Sequence, residues 1–130
     1  MKNKIHKYDF LIVGAGLIGS LAALALHQNN FKVLVIDKQK NTTNDKRTLA
    51  VNANSMDFLN NLGIWASLKS KPQAINKIII KDYINNSPII FENTSETMGK
   101  VIFNSELLEI ARERLKNLKI LKTNVNINLD

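Results

Sequence analysis

The run Tyr8-Asp9-Phe10-Leu11-Ile12-Val13-Gly14-Ala15-Gly16-Leu17-Ile18-Gly19 decides the fold. Its first half is a short, largely apolar stretch that stops at a glycine, as expected of a strand buried on both faces of a parallel sheet. Its second half is Gly-x-Gly-x-x-Gly, a pattern that chance alone produces often. Context makes it specific. A helix from Leu17 to about Gln28, apolar on most sides, opens directly after the glycines, and Lys32 to Ile36 reads as a second strand. An acid, Asp37, ends that strand 23 residues after Gly14, the spacing of a dinucleotide fingerprint. Asn29 and Asn30 close the helix, because asparagine tolerates the left-handed backbone of a C-cap. A right-handed crossover from strand to helix to strand leaves the two strands parallel, so the predicted class is α/β with a Rossmann-like βαβ start.

Each glycine has its own task. Gly14 permits a tight turn, Gly16 lets the backbone approach a pyrophosphate, and Gly19 lets helix and strand pack closely. Unpaired N–H groups at the helix start, with the positive end of its dipole, would neutralise the phosphate charge. Asp37 would accept hydrogen bonds from ribose hydroxyls, and an acid there repels a 2′-phosphate, which disfavours NADP. The competing reading is a glycine run that serves helix packing alone, with Asp37 a solvated strand end.

Further along, Lys38 to Arg47 is a polar loop. Asn54 is expected to cap a helix through Met56, Leu59 and Leu62, closed by Gly63. Ile75 to Tyr83 and Ile89 to Phe91 read as strands joined by a turn at Asn85-Asn86-Ser87-Pro88. Asn104 or Ser105 starts a helix with an apolar face of Leu107, Leu108, Ala111, Leu115 and Leu118, and Lys119 to Leu121 begins another strand.

With these residues in place, the chain resembles the FAD-dependent aromatic-ring hydroxylases, and more narrowly the ubiquinone-biosynthesis monooxygenases. Beyond the glycines, the likeness includes Ala23, Leu26, Val33, Val35 and Asp37, with Asn30 where such enzymes usually carry glycine. It continues through Arg47-Thr48-Leu49-Ala50-Val51 and Leu59-Asn60-Asn61-Leu62-Gly63-Ile64-Trp65, and ends with Met98-Gly99-Lys100-Val101-Ile102 leading into the helix from Asn104. The resemblance implies FAD as cofactor, held by Gly14, Ala15, Gly16, Leu17, Ile18, Gly19, Asp37, Lys38 and Arg47. Arg47 would contact the cofactor, since a permanently charged fork suits phosphate and ribose oxygens. Related hydroxylases can carry a flavin-contacting glutamine where Lys100 stands, so that role is not carried over.

The resemblance also implies NAD(P)H as reductant in the full enzyme, transfer of one oxygen atom of O2 to an electron-rich ring, and a polyprenylated phenol as substrate. It matches only the N-terminal part of a longer enzyme. Residues 1–130 are therefore expected to be one FAD-binding domain, incomplete, whose partner would be a missing C-terminal half or a ubiquinone-synthesis complex. Two other readings stay open: a non-catalytic remnant or half of a split flavoprotein, and another FAD- or NAD-dependent oxidoreductase.

Composition removes other classes. At 130 residues, 45% hydrophobic and 22% charged, the chain has the makeup of one globular domain. It has no cysteine, which excludes disulfides, thiolate metal sites and cysteine nucleophiles. The net charge of +7 is scattered rather than striped between aromatics, so no specific nucleic-acid binding is expected. That scatter reads as a background composition bias, with weak attraction to anionic lipid as the alternative; the expected location is the cytoplasm, with peripheral contact at the inner membrane face under that alternative. His6 and His27 are isolated and make no metal site. Glu106, Glu109 and Glu113, interleaved with Arg112, Arg114 and Lys116, read as a charged solvent face. Phe58 and Trp65 read as core or domain-contact residues, and Ser20 as a small residue at a packing site.

Overall fold

The computed structural model describes residues 7–41, 45–82, 84, 87–93 and 97–126. In chain order the elements are β1 (Phe10–Val13), α1 (Leu17–Gln28), β2 (Val33–Asp37), β3 (Thr48–Val51), α2 (Ala53–Asn61), a 3-10 turn at Trp65–Ser67, β4 (Gln73–Ile75), β5 (Lys77–Ile80), β6 (Ile89–Glu92), β7 (Gly99–Phe103), α3 (Asn104–Asn117) and β8 (Leu121–Thr123). Contacts divide the chain into two compact units, 1–45 with 104–130, and 46–103.

The first unit is the mixed α/β core with the expected parallel βαβ start. β2 lies between β1 and β8, both parallel to it, with Phe10 opposite Val33, Val13 opposite Ile36, and Val35 opposite Leu121. Its β-branched Val33, Val35 and Ile36 suit a central strand, and all three are buried. Helices α1 and α3 pack against each other, α1 against β2 and α3 against β8. Ala23 and Leu24 of α1 and Leu107, Ala111 and Leu115 of α3 are buried. Full burial of a leucine such as Leu107 or Leu115 contributes roughly 2 kcal/mol. Asn30, at φ 66°, takes the left-handed conformation expected after α1.

Two readings of this unit are corrected. β1 is not buried on both faces: it is an edge strand, and Leu11 and Val13 are exposed. They alternate with Ile12, whose side chain faces Gly19 of α1, so they point to the face that the helix does not cover. The strand expected at Lys119 begins at Leu121, because Lys119 is left-handed at φ 59°. Lys119 N donates to Lys116 O at 2.9 Å and Ile120 N to Leu115 O at 3.1 Å, closing α3 before the chain extends.

In the second unit β7 lies between β3 and β4, antiparallel to both. The cap of α2 is Asn52, not Asn54: its side chain accepts from Ser55 N at 2.9 Å. Gly63 follows α2 at φ 68°, the left-handed position expected of it. The long strand expected from Ile75 is two strands, β4 and β5, separated at Asn76. Phe58 is exposed rather than in the core. Trp65 is half-buried, with Lys100 Nζ 5.9 Å from its ring centroid.

β5 and β6 form the expected antiparallel ribbon, although Tyr83, Asn85 and Asn86 of its turn lie outside the described residues, as does His6. Its cross-strand pairs are Ile78 with Phe91, Ile79 with Ile90 and Ile80 with Ile89. Alternation puts apolar pairs on both faces, and all six side chains are exposed. Among the described residues no helix is long and apolar enough to cross a membrane.

Exposed apolar pairs on a ribbon with two free edges favour association. The purified chain is expected to self-associate at high concentration, and Ile79→Thr with Ile90→Thr, which keeps strand propensity, should raise the monomer fraction in size-exclusion chromatography with light scattering. A monodisperse wild-type monomer at the same concentration would contradict this.

Candidate functional site

Gly14 and Gly16 lie between β1 and α1 and Gly19 in the first turn of α1, and the three differ in what the surroundings ask of them. Gly14 sits at φ +100°, a backbone that side chains strain against. A Cβ on Gly19 would collide with the Gly14 carbonyl and meet Ile12 Cγ2 at 3.3 Å, so helix and strand approach as closely as they do only because it is absent. Gly16 differs from both. Its φ of −68° is ordinary, and a Cβ there would meet nothing within 4 Å. Neither backbone nor packing in this chain demands glycine at 16, which leaves open space for a group from outside the chain.

What would enter that space is set by the helix start. Ser20 N donating to Gly16 O at 2.9 Å begins the helical ladder, so the N–H groups of Leu17, Ile18 and Gly19 precede it. Gly16, the N-cap, supplies no side-chain hydrogen bond, and the first turn holds no acid. The positive end of α1 therefore faces outward uncompensated, which suits an anion.

Ala15, wholly buried, is gripped at both ends of its backbone. Its N–H donates to Asp37 Oδ2 at 2.6 Å. Its carbonyl accepts from Ser20 Oγ at 3.2 Å and from Arg112 Nη1 at 3.0 Å. Asp37 Oδ1 accepts from Gln39 N at 2.7 Å. An open cleft of about 480 Å³ lies at the carboxyl ends of β1 and β2, lined by Gly14, Asp37, Lys38, Gln39, Val125 and Asn126 among others. That end of a parallel sheet is where such folds bind ligands.

Arg112 is the residue that sequence reasoning misplaced. It is not on a solvent face: its side chain is 6% exposed. Besides Ala15 O it reaches Asp37 Oδ2 at 3.2 Å through Nη1, and Gln39 O at 2.8 Å and Lys40 O at 3.3 Å through Nη2. Its spacing from Leu108 and Leu115, at i−4 and i+3, put it on the border of the apolar stripe, the one signal that could have flagged it. Burial alone would raise the Asp37 carboxyl, but the Gln39 and Ala15 N–H groups and the Arg112 charge outweigh it and hold it below its ordinary value.

The first unit thus brings together Gly14, Ala15, Gly16, Leu17, Ile18, Gly19, Asp37 and Lys38. Ile18 is exposed on the first turn of α1, and Lys38 is exposed at the cleft. Arg47 lies in the second unit, exposed just before β3.

Comparison with known proteins bears on this arrangement. A family model described as FAD binding domain matches residues 7–125. The chain is 24% identical over 140 aligned positions to the mitochondrial ubiquinone biosynthesis monooxygenase COQ6 of Dictyostelium discoideum, a match covering 90% of this chain and 28% of that protein. Among solved structures it shares its fold with 2-methyl-3-hydroxypyridine-5-carboxylic acid oxygenase, at a TM-score of 0.69 and 19% identity over 88% of this chain and 30% of that one. CtdE, solved in complex with FAD and a substrate, matches at a TM-score of 0.69 and 22% identity over 92% of this chain and 31% of that one. The chain spans less than a third of each of these proteins. The open space at Gly16, the free helix start and a carboxylate at the cleft fit the ADP half of FAD.

Two outcomes test this geometry. Gly19→Ala should destabilise the fold by roughly 3 kcal/mol, the upper range for overpacking, whereas Gly16→Val should stay within about 1 kcal/mol of wild type in urea unfolding. Equal losses at both positions would contradict the separate roles. Asp37→Asn should cost about 3 kcal/mol at pH 7, the lower end for breaking a buried ion pair, because Arg112 keeps its carbonyl partners. Since the Asp37 value is lowered in the fold, its contribution is complete above the unfolded value of about 4. It disappears as pH falls through the lowered folded value, so the wild-type advantage in urea midpoint should shrink only below about pH 4. A constant advantage down to acid unfolding would contradict it.

Proposed function

The chain belongs to the FAD binding domain family, and from that premise we propose that it holds the ADP half of FAD for a flavin monooxygenase that hydroxylates a polyprenylated phenol in ubiquinone biosynthesis. The observation that carries the cofactor reading is Gly16, a glycine that neither backbone nor packing requires, at the uncapped start of α1. The likeness to a ubiquinone biosynthesis monooxygenase supports the narrower substrate reading.

When bound, FAD supplies the chemistry for NAD(P)H-driven insertion of one oxygen atom of O2 into an electron-rich ring. The residues of this chain bind and orient it. The N–H groups at the start of α1 receive the diphosphate, and Asp37 Oδ1, which has one acceptor site left beside its bond from Gln39 N, accepts from the ribose. Lys38 brings a cation to the same cleft. Arg47 is the family-derived candidate in the second unit for further phosphate or ribose contact.

The chain's share of its relatives' length, 28% to 31% in the three comparisons, favours a second reading. In that reading it is a cofactor-binding module that hydroxylates only when completed by further polypeptide. Both readings require FAD binding, and they separate on whether the purified chain oxidises NAD(P)H.

The first test is the absorbance spectrum and equilibrium FAD affinity of the purified chain beside Gly16→Val. Wild type should bind, and the variant should lose at least about tenfold in affinity, because its side chain fills the place of the phosphate. A folded wild-type chain that leaves the flavin spectrum unchanged would overturn the proposal.

A further inference from the structure

We propose that Arg112 is a positioning residue for the adenosine half of the cofactor, locking Asp37 so that one carboxylate oxygen serves the protein and the other is presented to the ribose. The proposal rests on the FAD reading above and adds to it a residue from the opposite end of the chain.

The geometry assigns the two oxygens of Asp37 different work. Oδ2 already has two donors, Ala15 N at 2.6 Å and Arg112 Nη1 at 3.2 Å, which fills its two acceptor sites. Oδ1 has Gln39 N at 2.7 Å and keeps one acceptor site, on a residue that lines the cleft. A single hydroxyl from the cleft can therefore bond Asp37, and it must do so at Oδ1. Rotation of the carboxyl would exchange the oxygens, and the Arg112 and Ala15 bonds oppose that rotation.

Arg112 is itself spoken for. Its four Nη hydrogens are matched by four acceptors, Ala15 O, Asp37 Oδ2, Gln39 O and Lys40 O. A guanidinium so engaged does not reach for a ligand phosphate, so it acts on the cofactor through Asp37 and the two loops it ties together. It also offsets the Asp37 charge next to the loop that must receive a diphosphate. An uncompensated carboxylate bonded to Ala15 would repel that anion; the ion pair leaves the helix start favourable to it.

The experiment compares ADP with 2′,3′-dideoxy-ADP by calorimetry on the full chain, in wild type, Arg112→Lys and Arg112→Met, with melting curves to establish folding. The ratio of the two dissociation constants reads the ribose bond alone, and a merely structural loss would weaken both nucleotides equally. In wild type the ratio should be about tenfold or more, as for a hydrogen bond to a charged group. It should fall toward one in Arg112→Met and recover in part in Arg112→Lys, which restores the charge without the planar fork. Should Arg112→Met fail to fold, a lowered ratio in Arg112→Lys supports the proposal by itself. An unchanged ratio in a folded variant overturns the role of Arg112 and leaves the cofactor reading standing. A folded wild-type chain that binds neither FAD nor ADP overturns both.

Discussion

A guanidinium has no neutral form available near neutral pH, so an arginine taken out of water must find acceptors for its hydrogens or destabilise the fold that buries it. Arg112 finds them in two stretches far from it in sequence: the glycine loop at Ala15, and the end of β2 at Asp37 with the loop that follows it at Gln39 and Lys40. The consequence runs both ways. Helix α3 cannot move relative to the cofactor loop without stranding a buried charge, and the cofactor loop cannot relax without disturbing α3. Apolar packing between α1 and α3 supplies the bulk of the attraction, but it tolerates sliding. The directional bonds of Arg112 do not.

Legibility in the sequence followed the distance over which each constraint acts. The glycine fingerprint, the span of α1, the left-handed Asn30 and Gly63 and the acid at Asp37 are local signals, because turn geometry and strand ends depend on a few neighbouring residues. The burial of Arg112 is not local: its ion pair joins residues 75 apart, and its immediate neighbours Glu109 and Glu113 look like a solvated face. The exposure of Leu11 and Val13 was hidden for a related reason. An apolar run records that a strand suits burial, but the element that covers each face is set by topology, and helix α1 covers only one face of β1. The displaced cap shows the smaller ambiguity that arises where asparagines recur within a few residues and each could serve, as Asn52 and Asn54 do.

The same division between what a segment suits and what surrounds it separates Gly16 from the β5–β6 ribbon. Gly16 is open in that nothing in the chain lies within 4 Å of where its Cβ would stand, and the N–H groups of the helix start beside it are polar and directional. The ribbon is open with six apolar side chains on its two faces, and its side chains carry charge at the Lys77–Glu92 pair at its base, 3.3 Å apart. An anion recognised by N–H groups and an extended apolar surface are different physical demands. The first is met within one unit by residues that lock one another, since Asp37, Ala15 and Arg112 are joined by hydrogen bonds between protein groups alone. Such preorganisation means that little ordering need accompany binding, so the interaction energy of the diphosphate and ribose is retained as affinity instead of being consumed in shaping the loop.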